Sequence, residues 1–308
     1  MAGQPRFALT GSIACGKTTF VRFLKEAGVR VLDADDVVHE LEAPGGAAVE
    51  AIAAQFGGAV RTADGGIDRK RLAQIVFCGD DAAAKRSRLE NILFPLVRER
   101  LLAFDGVCVV PLLYECGWER DYDNVICLAS SEEKQIERMV KTRGYTEEEA
   151  KARIAAQMLA LVKMQRANIS FLNDGSIEEL RGHAWALAGH LVHTWHPLDG
   201  ADFAERALTV AKDGSWSGAP LDWLGGAARS ALVAYYINAI RLATSAEERE
   251  AINNRTRAIF SALLALPLGH DAADDIANWQ GKVLRQIELM ERKIQCGICD
   301  GRSNAGTF

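Results

Sequence analysis

A glycine-bounded loop near the N-terminus indicates phosphate chemistry. Residues 11–18 read GSIACGKT and fit the pattern G-x-x-x-x-G-K-[ST] in full. Glycines let such a loop turn its backbone N–H groups inward around an anion, at the start of a helix. The pattern predicts that Lys17 contacts the β- and γ-phosphates of a nucleoside triphosphate and that the Thr18 hydroxyl binds Mg²⁺. The predicted nucleotide-binding residues of the loop are Gly11, Ser12, Ile13, Ala14, Cys15, Gly16, Lys17, Thr18 and Thr19.

A group of carboxylates follows the second apolar run of the chain, VRVLDADD at 29–36. We expect Asp33 and Asp35 to end a strand that lies beside the first strand. Ligands of an open parallel sheet bind outside the carboxyl ends of its strands, so both acids should lie near the γ-phosphate. A carboxylate there could orient a hydroxyl nucleophile and accept its proton. The alternative is that these acids only cap a helix, and position alone does not decide between the two.

Short apolar runs alternate with helical patterns over roughly the first two thirds of the chain, which favours a parallel sheet with helices on both faces. We therefore predict an α/β fold of the P-loop NTPase type with five parallel strands. Ser130 and Thr146, each followed three residues later by glutamate, should cap two of the helices. The strand-forming runs are 7–9, 29–35, 107–115, 124–130 and 169–176, and the helices are 17–27, 36–41, 47–56, 69–77, 82–104 with an interruption at Pro95, 131–141, 147–166 and about 177–193.

The last third of the chain has a different pattern. No convincing strand follows TWHPLDG at 194–200. Apolar residues at helical spacing predict an all-α region with helices at 203–211, 223–242, 246–266 and 272–294. We therefore predict two domains, 1–195 and 197–308.

Composition excludes several classes of function. The 308 residues carry 36 Lys and Arg against 41 Asp and Glu, a net charge of -5, which disfavours a general nucleic-acid binder. No apolar run approaches the roughly 20 residues that span a bilayer, and the N-terminus lacks the pattern of a secretory signal. The seven cysteines are odd in number and scattered, as expected of reduced thiols. These features predict a cytoplasmic protein that binds neither nucleic acid nor membrane.

Several blocks of sequence in order, at matching distances, resemble the dephospho-CoA kinase family over residues 6–192. The glycine loop alone would match many families, so the resemblance depends on the blocks that accompany it. Those blocks are LTGSIACGKTT, VLDADDVVHEL, APGG, GIDRKRLAQIVF, LENILFPLVR, VPLLYE, QIERMVKTRGYTEEEAKARIAAQM and NDGS.

The resemblance implies that ATP, with Mg²⁺, phosphorylates the ribose 3′-hydroxyl of dephospho-CoA, which is the last step of CoA synthesis. It implies that helices at about 37–104 hold dephospho-CoA and that a lid segment at about 131–166 closes an arginine over the phosphates. Asp35 would be the general base, acting with Lys17 and the lid arginine. Asp33, Arg69 and Glu115 would lie on the substrate side, and Asn173 beside the adenine of ATP.

Three positions depart from the family pattern. Phe94 stands where the family usually has histidine before proline, and Val109 stands where an acid is common. The two lid arginines of the family are spaced R-x-x-x-R, whereas Arg138 and Arg143 are separated by four residues. We predict Arg143 as the closing arginine; Lys141 is another candidate, and a solvated basic face is the alternative.

Two further interpretations stay open. The chain could be another small-molecule P-loop kinase, or a non-catalytic module that binds nucleotide or CoA. The intact loop and Asp35 weigh against the non-catalytic module. The C-terminal helices resemble no domain that we can name, and they could mediate self-association or bind a protein partner.

Overall fold

Five parallel strands frame the first part of the chain. The computed structural model describes residues 5–79, 81–194, 199–213 and 220–266. The strands are β1 (Phe7–Gly11), β2 (Val31–Asp33), β3 (Val107–Val109), β4 (Asn124–Ala129) and β5 (Ile169–Leu172), in the order β2-β3-β1-β4-β5. Every neighbouring pair is parallel. β2 and β3 lie on one side of β1, and β4 and β5 lie on the other. The loop after β1 is therefore at a topological switch point, where ligands of such sheets bind.

Helices flank this sheet, and the predicted fold class is confirmed. Most helix bounds agree with the sequence pattern to within a few residues. The helices of the first part are α1 (Lys17–Glu26), α2 (Ala34–Glu42), α3 (Val49–Phe56), α4 (Arg69–Phe77), α5 (Ala82–Leu102), α6 (Glu132–Arg143), α7 (Glu147–Ala155) and α8 (Ala160–Arg166), followed by α9 (Ile177–Thr194).

The expected place of the second strand is wrong. β2 has only three residues and pairs with β3, not with β1. The side chains of β3 are fully buried, whereas those of β2 are only partly buried. The more apolar strand therefore takes the inner position, and β2 lies at the edge of the sheet. Its last residue, Asp33, still ends at the same side of the sheet as Gly11, since both strands run in parallel.

Three local predictions also need correction. α5 continues through Pro95, because buried Leu93, Val97 and Leu101 hold the helix despite one missing backbone donor. The predicted helix 147–166 is two helices, α7 and α8. α6 is capped by Ser131 instead of Ser130, and its hydroxyl accepts the Lys134 N–H. The capping box at Thr146 and Glu149 is confirmed.

Residue contacts divide the chain into two units. The first contains Met1–Lys17 and Arg30–Asp174, and the second contains Thr18–Val29 and Gly175–Phe308. In the first unit, α2 to α5 cover a core that includes Ala8 and Cys108 of the central strands. The predicted domain boundary at 195–197 lies outside the described residues and stays a prediction.

The second unit is helical throughout its described part. α10 (Gly200–Lys212), α11 (Pro220–Leu242) and α12 (Ala246–Leu264) match three predicted helices, and α11 packs against α9, α10 and α12. Trp185 and Phe203 lie with ring centroids 5.4 Å apart. The predicted helix 272–294 lies outside the described residues. None of the helices in the described ranges is long and apolar enough to cross a membrane.

Gly11 joins the sheet to the loop in a way that leaves no room for a side chain. Its φ is 156°, and a Cβ there would lie 1.9 Å from the Leu128 carbonyl oxygen of β4. We expect Gly11→Ala to cost roughly 3 kcal/mol, which lowers Tm by about 6–12 °C. Gly58→Ala is the matched control, because a Cβ at Gly58 meets nothing within 4 Å. Calorimetry of both variants checks this, and equal Tm values would show that the strand end tolerates a Cβ.

Candidate active site

The loop between β1 and α1 has the backbone that anion binding requires. Gly16 has a φ of 92°, which suits glycine. Ala14 has a φ of 54°, in the left-handed region that residues with a Cβ adopt infrequently. Strained backbone of this kind is concentrated at functional sites. The loop and the first turn of α1 contain all nine predicted nucleotide-binding residues from Gly11 to Thr19, and Thr18 is exposed there.

The Lys17 ammonium lies within the loop. It donates to the carbonyl oxygens of Gly11 at 3.1 Å and of Ser12 at 2.7 Å, and it lies 3.6 Å from the Cys15 sulfur. These contacts hold a positive charge inside the turn that the glycines make. That charge is placed to neutralise the phosphates of a nucleotide bound by the loop.

Asn173 holds the phosphate loop through a hydrogen bond to its backbone. It is buried, and its side-chain amide donates to the Cys15 carbonyl at 2.8 Å. Its own carbonyl oxygen accepts the Ser130 hydroxyl at 2.8 Å, which explains why Ser130 does not cap α6. Asn173 follows β5, so this contact links the ends of β4 and β5 to the loop. Its predicted place beside adenine stays a prediction.

Arg138 is a site residue that the sequence prediction did not select. Its guanidinium donates to the Ala14 carbonyl at 3.3 Å, to the Ser130 hydroxyl at 2.7 Å and to the Asn173 carbonyl at 2.7 Å. It lies three residues after Gln135, and both Gln135 and the next residue, Met139, are buried. This spacing places Arg138 near the buried face of α6, and it was the signal in the sequence that could have identified Arg138. The alternative interpretation, that Arg138 lies on a solvated basic face, is therefore wrong.

Arg143, the predicted closing arginine, is the last residue of α6 and is exposed. Gly144 follows it in a left-handed conformation that ends the helix. The other candidate, Lys141, forms an exposed ion pair with Glu137 at 2.7 Å. The role of Arg143 stays a prediction, and Arg138 is the one of the two arginines that the structure places in contact with the loop.

The structure gives the two predicted acids, Asp33 and Asp35, different places in α2. Asp33 is the N-cap of α2, and its carboxylate accepts the Asp35 N–H at 3.0 Å. The helix-cap interpretation is thus confirmed for Asp33. Asp35 lies in the first turn of α2 instead of ending a strand, and its side chain is exposed. The exposed carboxylate of Asp35 is free of the capping contact and can face a substrate.

The surroundings of Asp33 connect it to the loop. Burial raises the pKa of the Asp33 carboxyl, and repulsion from Asp35 and Asp36 raises it further. The hydrogen bond from the Asp35 N–H and the charge of Lys17 oppose that rise. Val109 lies beside Asp33 in the strand register, so an apolar neighbour takes the place of the acid that the family often has there. The charges of Lys17 and Asp33 therefore act on each other across this end of the sheet.

Arg69 lines a separate pocket of about 210 Å³. Its Nε atom is 3.0 Å from a carboxylate oxygen of Glu42, and its Nη1 atom contacts His39. Glu42 is only 6% exposed, and burial raises its pKa while Arg69 and His39 lower it. The contacts of Arg69 are thus with α2 and not with the phosphate loop.

Glu115 contacts α8 and the connection that precedes it. Burial raises its pKa, but hydrogen bonds from Lys163 and from the Met158 N–H oppose that rise, and the net pKa is below the usual range. Lys163, which the sequence prediction missed, has a side chain with no exposed surface. One Glu115 carboxylate oxygen is therefore engaged within the protein.

Phe94, the departure before Pro95, is a packing residue. Its ring meets Trp118 edge-on, with centroids 5.3 Å apart. Trp118 in turn packs against the core of the first unit. The aromatic pair gives the phenylalanine a structural reason to be there, whatever the family has at this position.

The described residues hold no group of three or more His, Cys, Asp or Glu that could enclose a metal by themselves. Mg²⁺ in phosphoryl-transfer sites takes most of its ligands from substrate phosphates and water, with one or two protein oxygens. The Thr18 hydroxyl and the carboxylates of Asp33 and Asp35 are oxygen donors of the kind that Mg²⁺ prefers. The donor chemistry fits such an ion.

Comparisons with known proteins match this chain to one family. The family model for dephospho-CoA kinase (CoaE) matches residues 6–179. The dephospho-CoA kinase of Symbiobacterium thermophilum is 40% identical over 193 residues, covering 58% of this chain and 80% of that protein. The dephospho-CoA kinase of Streptomyces avermitilis is 39% identical over 199 residues, covering 61% of this chain and 96% of that protein.

A solved structure supports the same assignment of fold. The structure of TT1252 from Thermus thermophilus superposes with a TM-score of 0.51 at 29% identity, covering 61% of this chain and 99% of that one. The family model spans more than half of the 308 residues and includes the loop, both acids and the predicted lid segment. This chain belongs to the dephospho-CoA kinase family.

Proposed function

We propose that the chain transfers the γ-phosphate of ATP to the ribose 3′-hydroxyl of dephospho-CoA, giving CoA and ADP in the last step of CoA synthesis. The observation that carries the proposal is the presence of a complete phosphate loop, with Lys17 inside it, and of two carboxylates at the same end of the sheet. A phosphate loop alone would also suit a nucleotide hydrolase. The carboxylates supply what transfer to a hydroxyl needs in addition.

The reaction assigns a task to each group. The Asp35 carboxylate accepts the proton of the 3′-hydroxyl while that oxygen forms its bond to the γ-phosphorus. The bond from the γ-phosphorus to the bridging oxygen breaks, and ADP leaves. Lys17 and the loop N–H groups stabilise the charge on the phosphates. Asp33 starts α2 and so sets the direction from which Asp35 approaches.

The proposal also includes a metal ion and a cellular compartment. Mg²⁺, held by the Thr18 hydroxyl and supported by the Asp33 carboxylate, would neutralise the phosphates when bound. Arg69 serves the substrate side and Asn173 the nucleotide, whereas Glu115 contacts Lys163 and the Met158 N–H. We also propose a cytoplasmic setting, which suits the free thiols of the five cysteines in the described residues. Self-association or a protein partner at the C-terminal helices stays a prediction.

An acceptor comparison tests the proposal. The purified chain is incubated with ATP, Mg²⁺ and one of four acceptors: dephospho-CoA, pantetheine, a nucleoside or a shikimate-like acid. We expect kcat/KM for dephospho-CoA to exceed the others by at least about a hundredfold, because a site built for one acceptor orients only that hydroxyl. Preference for another acceptor would indicate a different small-molecule kinase. Tight ATP binding without transfer to any acceptor would indicate a non-catalytic module.

A further inference from the structure

An ion pair between a buried lysine and a partly exposed glutamate lies beside the connection between α7 and α8. The Lys163 ammonium of α8 is 2.8 Å from a carboxylate oxygen of Glu115, and the Lys163 side chain has no exposed surface. It also donates to the Pro111 carbonyl at 3.1 Å. A lysine without access to water needs such partners to remain charged. The Lys163 ammonium is therefore held between two oxygen acceptors.

The same Glu115 oxygen holds the backbone of the lid. It accepts the Met158 N–H at 3.1 Å. Met158 lies in the connection 156–159 between α7 and α8. One carboxylate thus binds the connection and the helix that follows it.

The Pro111 carbonyl extends this link to the phosphate loop. It accepts the Thr10 hydroxyl at 3.2 Å in addition to the Lys163 ammonium. Thr10 is the β1 residue directly before Gly11. The ion pair is therefore joined through one carbonyl oxygen to the strand that leads into the loop.

The two helices on either side of the connection differ in how they are held. α8 contacts β4, β1 and β5, and its Arg166 adds an ion pair with Glu119 at 2.6 Å. α7 contacts α6, and Ala150 is its one fully buried residue. α8 therefore belongs to the sheet layer, whereas α7 is held mainly by the rest of the lid.

We infer that Glu115 and Lys163 form the fixed side of a hinge at the connection 156–159, on which α7 moves. The inference rests on the proposed function and gives Glu115 a positioning role within it. Loss of the pair frees the connection 156–159 from the strand end. The connection then samples orientations that leave open the pocket that Met158 and Leu159 line together with Ser12 of the phosphate loop, and water gains access.

Glu115→Gln tests the inference with two readouts. Amide hydrogen exchange within 156–159 should accelerate at least about tenfold, while exchange in β1 and β4 stays within about twofold. In steady-state assays kcat should fall about 10- to 100-fold, and ADP formed per CoA formed should rise as water competes with the acceptor. The Kd for ATP should change by less than about threefold, because the loop itself is intact.

A matched control has the same chemical change on an exposed pair of the same lid. Glu147 and Lys151 of α7 form an ion pair at 2.6 Å with more than half of each side chain exposed. Glu147→Gln should leave exchange in 156–159, kcat and the ADP to CoA ratio unchanged, since exposed pairs contribute little. Lys163→Met, alone and combined with Glu115→Gln, provides the second variant, and the double variant should resemble the single ones in kcat.

Two results would overturn the inference. Exchange in 156–159 equal to that of the Glu147→Gln control would show that the pair holds no hinge. Exchange that rises throughout the chain, with a lower Tm and a normal kcat, would show a structural role only. If Lys163→Met does not fold, Glu115→Gln alone decides. If the unmodified chain forms no CoA, the proposed function fails, while the exchange data still decide whether the hinge exists.

Discussion

Replacement of Asp35 by asparagine is expected to lower kcat about a thousandfold while leaving the Kd for ATP within about threefold. The amide would keep the size and the polarity of the side chain but could not accept a proton from the ribose hydroxyl. The fold should be retained, because Asp35 is exposed in the first turn of α2 and the cap of that helix is Asp33. Steady-state kinetics together with calorimetric titration of ATP measure both quantities.

Asp36→Asn is the control for that result. Asp36 is the next residue of the same turn, is also exposed, and has no role in the proposed reaction. Its replacement should leave kcat within about twofold. If Asp35→Asn instead abolishes ATP binding, Asp35 holds the metal or the structure of the site, and the base must be another residue.

The second large effect separates the two lid arginines. Arg138→Ala should lower kcat about a thousandfold, since an arginine that stabilises the transferring phosphoryl group contributes about 10³–10⁵ to the rate in related chemistry. Three hydrogen bonds already place its guanidinium against the loop and the end of β5. Arg143→Ala, the same change five residues later on the exposed end of α6, should have a much smaller effect.

Both variants need a measurement of stability beside the kinetics. The Arg138 contacts could also hold the loop in shape, in which case Arg138→Ala would lower Tm and weaken ATP binding in proportion to its loss of activity. A thousandfold loss in Arg143→Ala with little change in Arg138→Ala would favour the prediction made from sequence. In that event the lid must turn far enough to bring the end of α6 over the phosphates.

The phosphate loop and the alternation of strands and helices were predictable because both depend on local sequence. The order of residues 11–18 determines where the glycines, Lys17 and Thr18 lie relative to one another. Turn and cap chemistry gave most helix ends, as at Thr146. The order of the strands was not local information. It depends on which buried strand, β1 or β3, lies next to the short edge strand β2, and the sequence pattern near Asp33 does not contain that choice.

The parts of the site that the sequence did not reveal are contacts between distant residues. Arg138 lies 124 positions from Ala14 in the chain, and Lys163 lies 52 positions from Pro111. The family's motif spacing favoured Arg143, because a motif compares only positions along the sequence and not which face of the helix is buried. The helical face that carries Gln135 and Met139 was the better guide, since it shows which side of α6 is buried. From the sequence alone, Lys163 would be taken for a surface residue. Its burial follows from contacts with Glu115 and Pro111, which are distant in the chain.

The identity of the phosphorylated product tests the central claim most directly. The chain is incubated with ATP, Mg²⁺ and dephospho-CoA, and the product is examined by mass spectrometry and ³¹P NMR. We predict that one ADP forms for each CoA and that the new phosphate is a monoester on the ribose 3′-oxygen. Recovery of unchanged dephospho-CoA while ATP is bound or hydrolysed would contradict the account, as would a phosphate on any other oxygen.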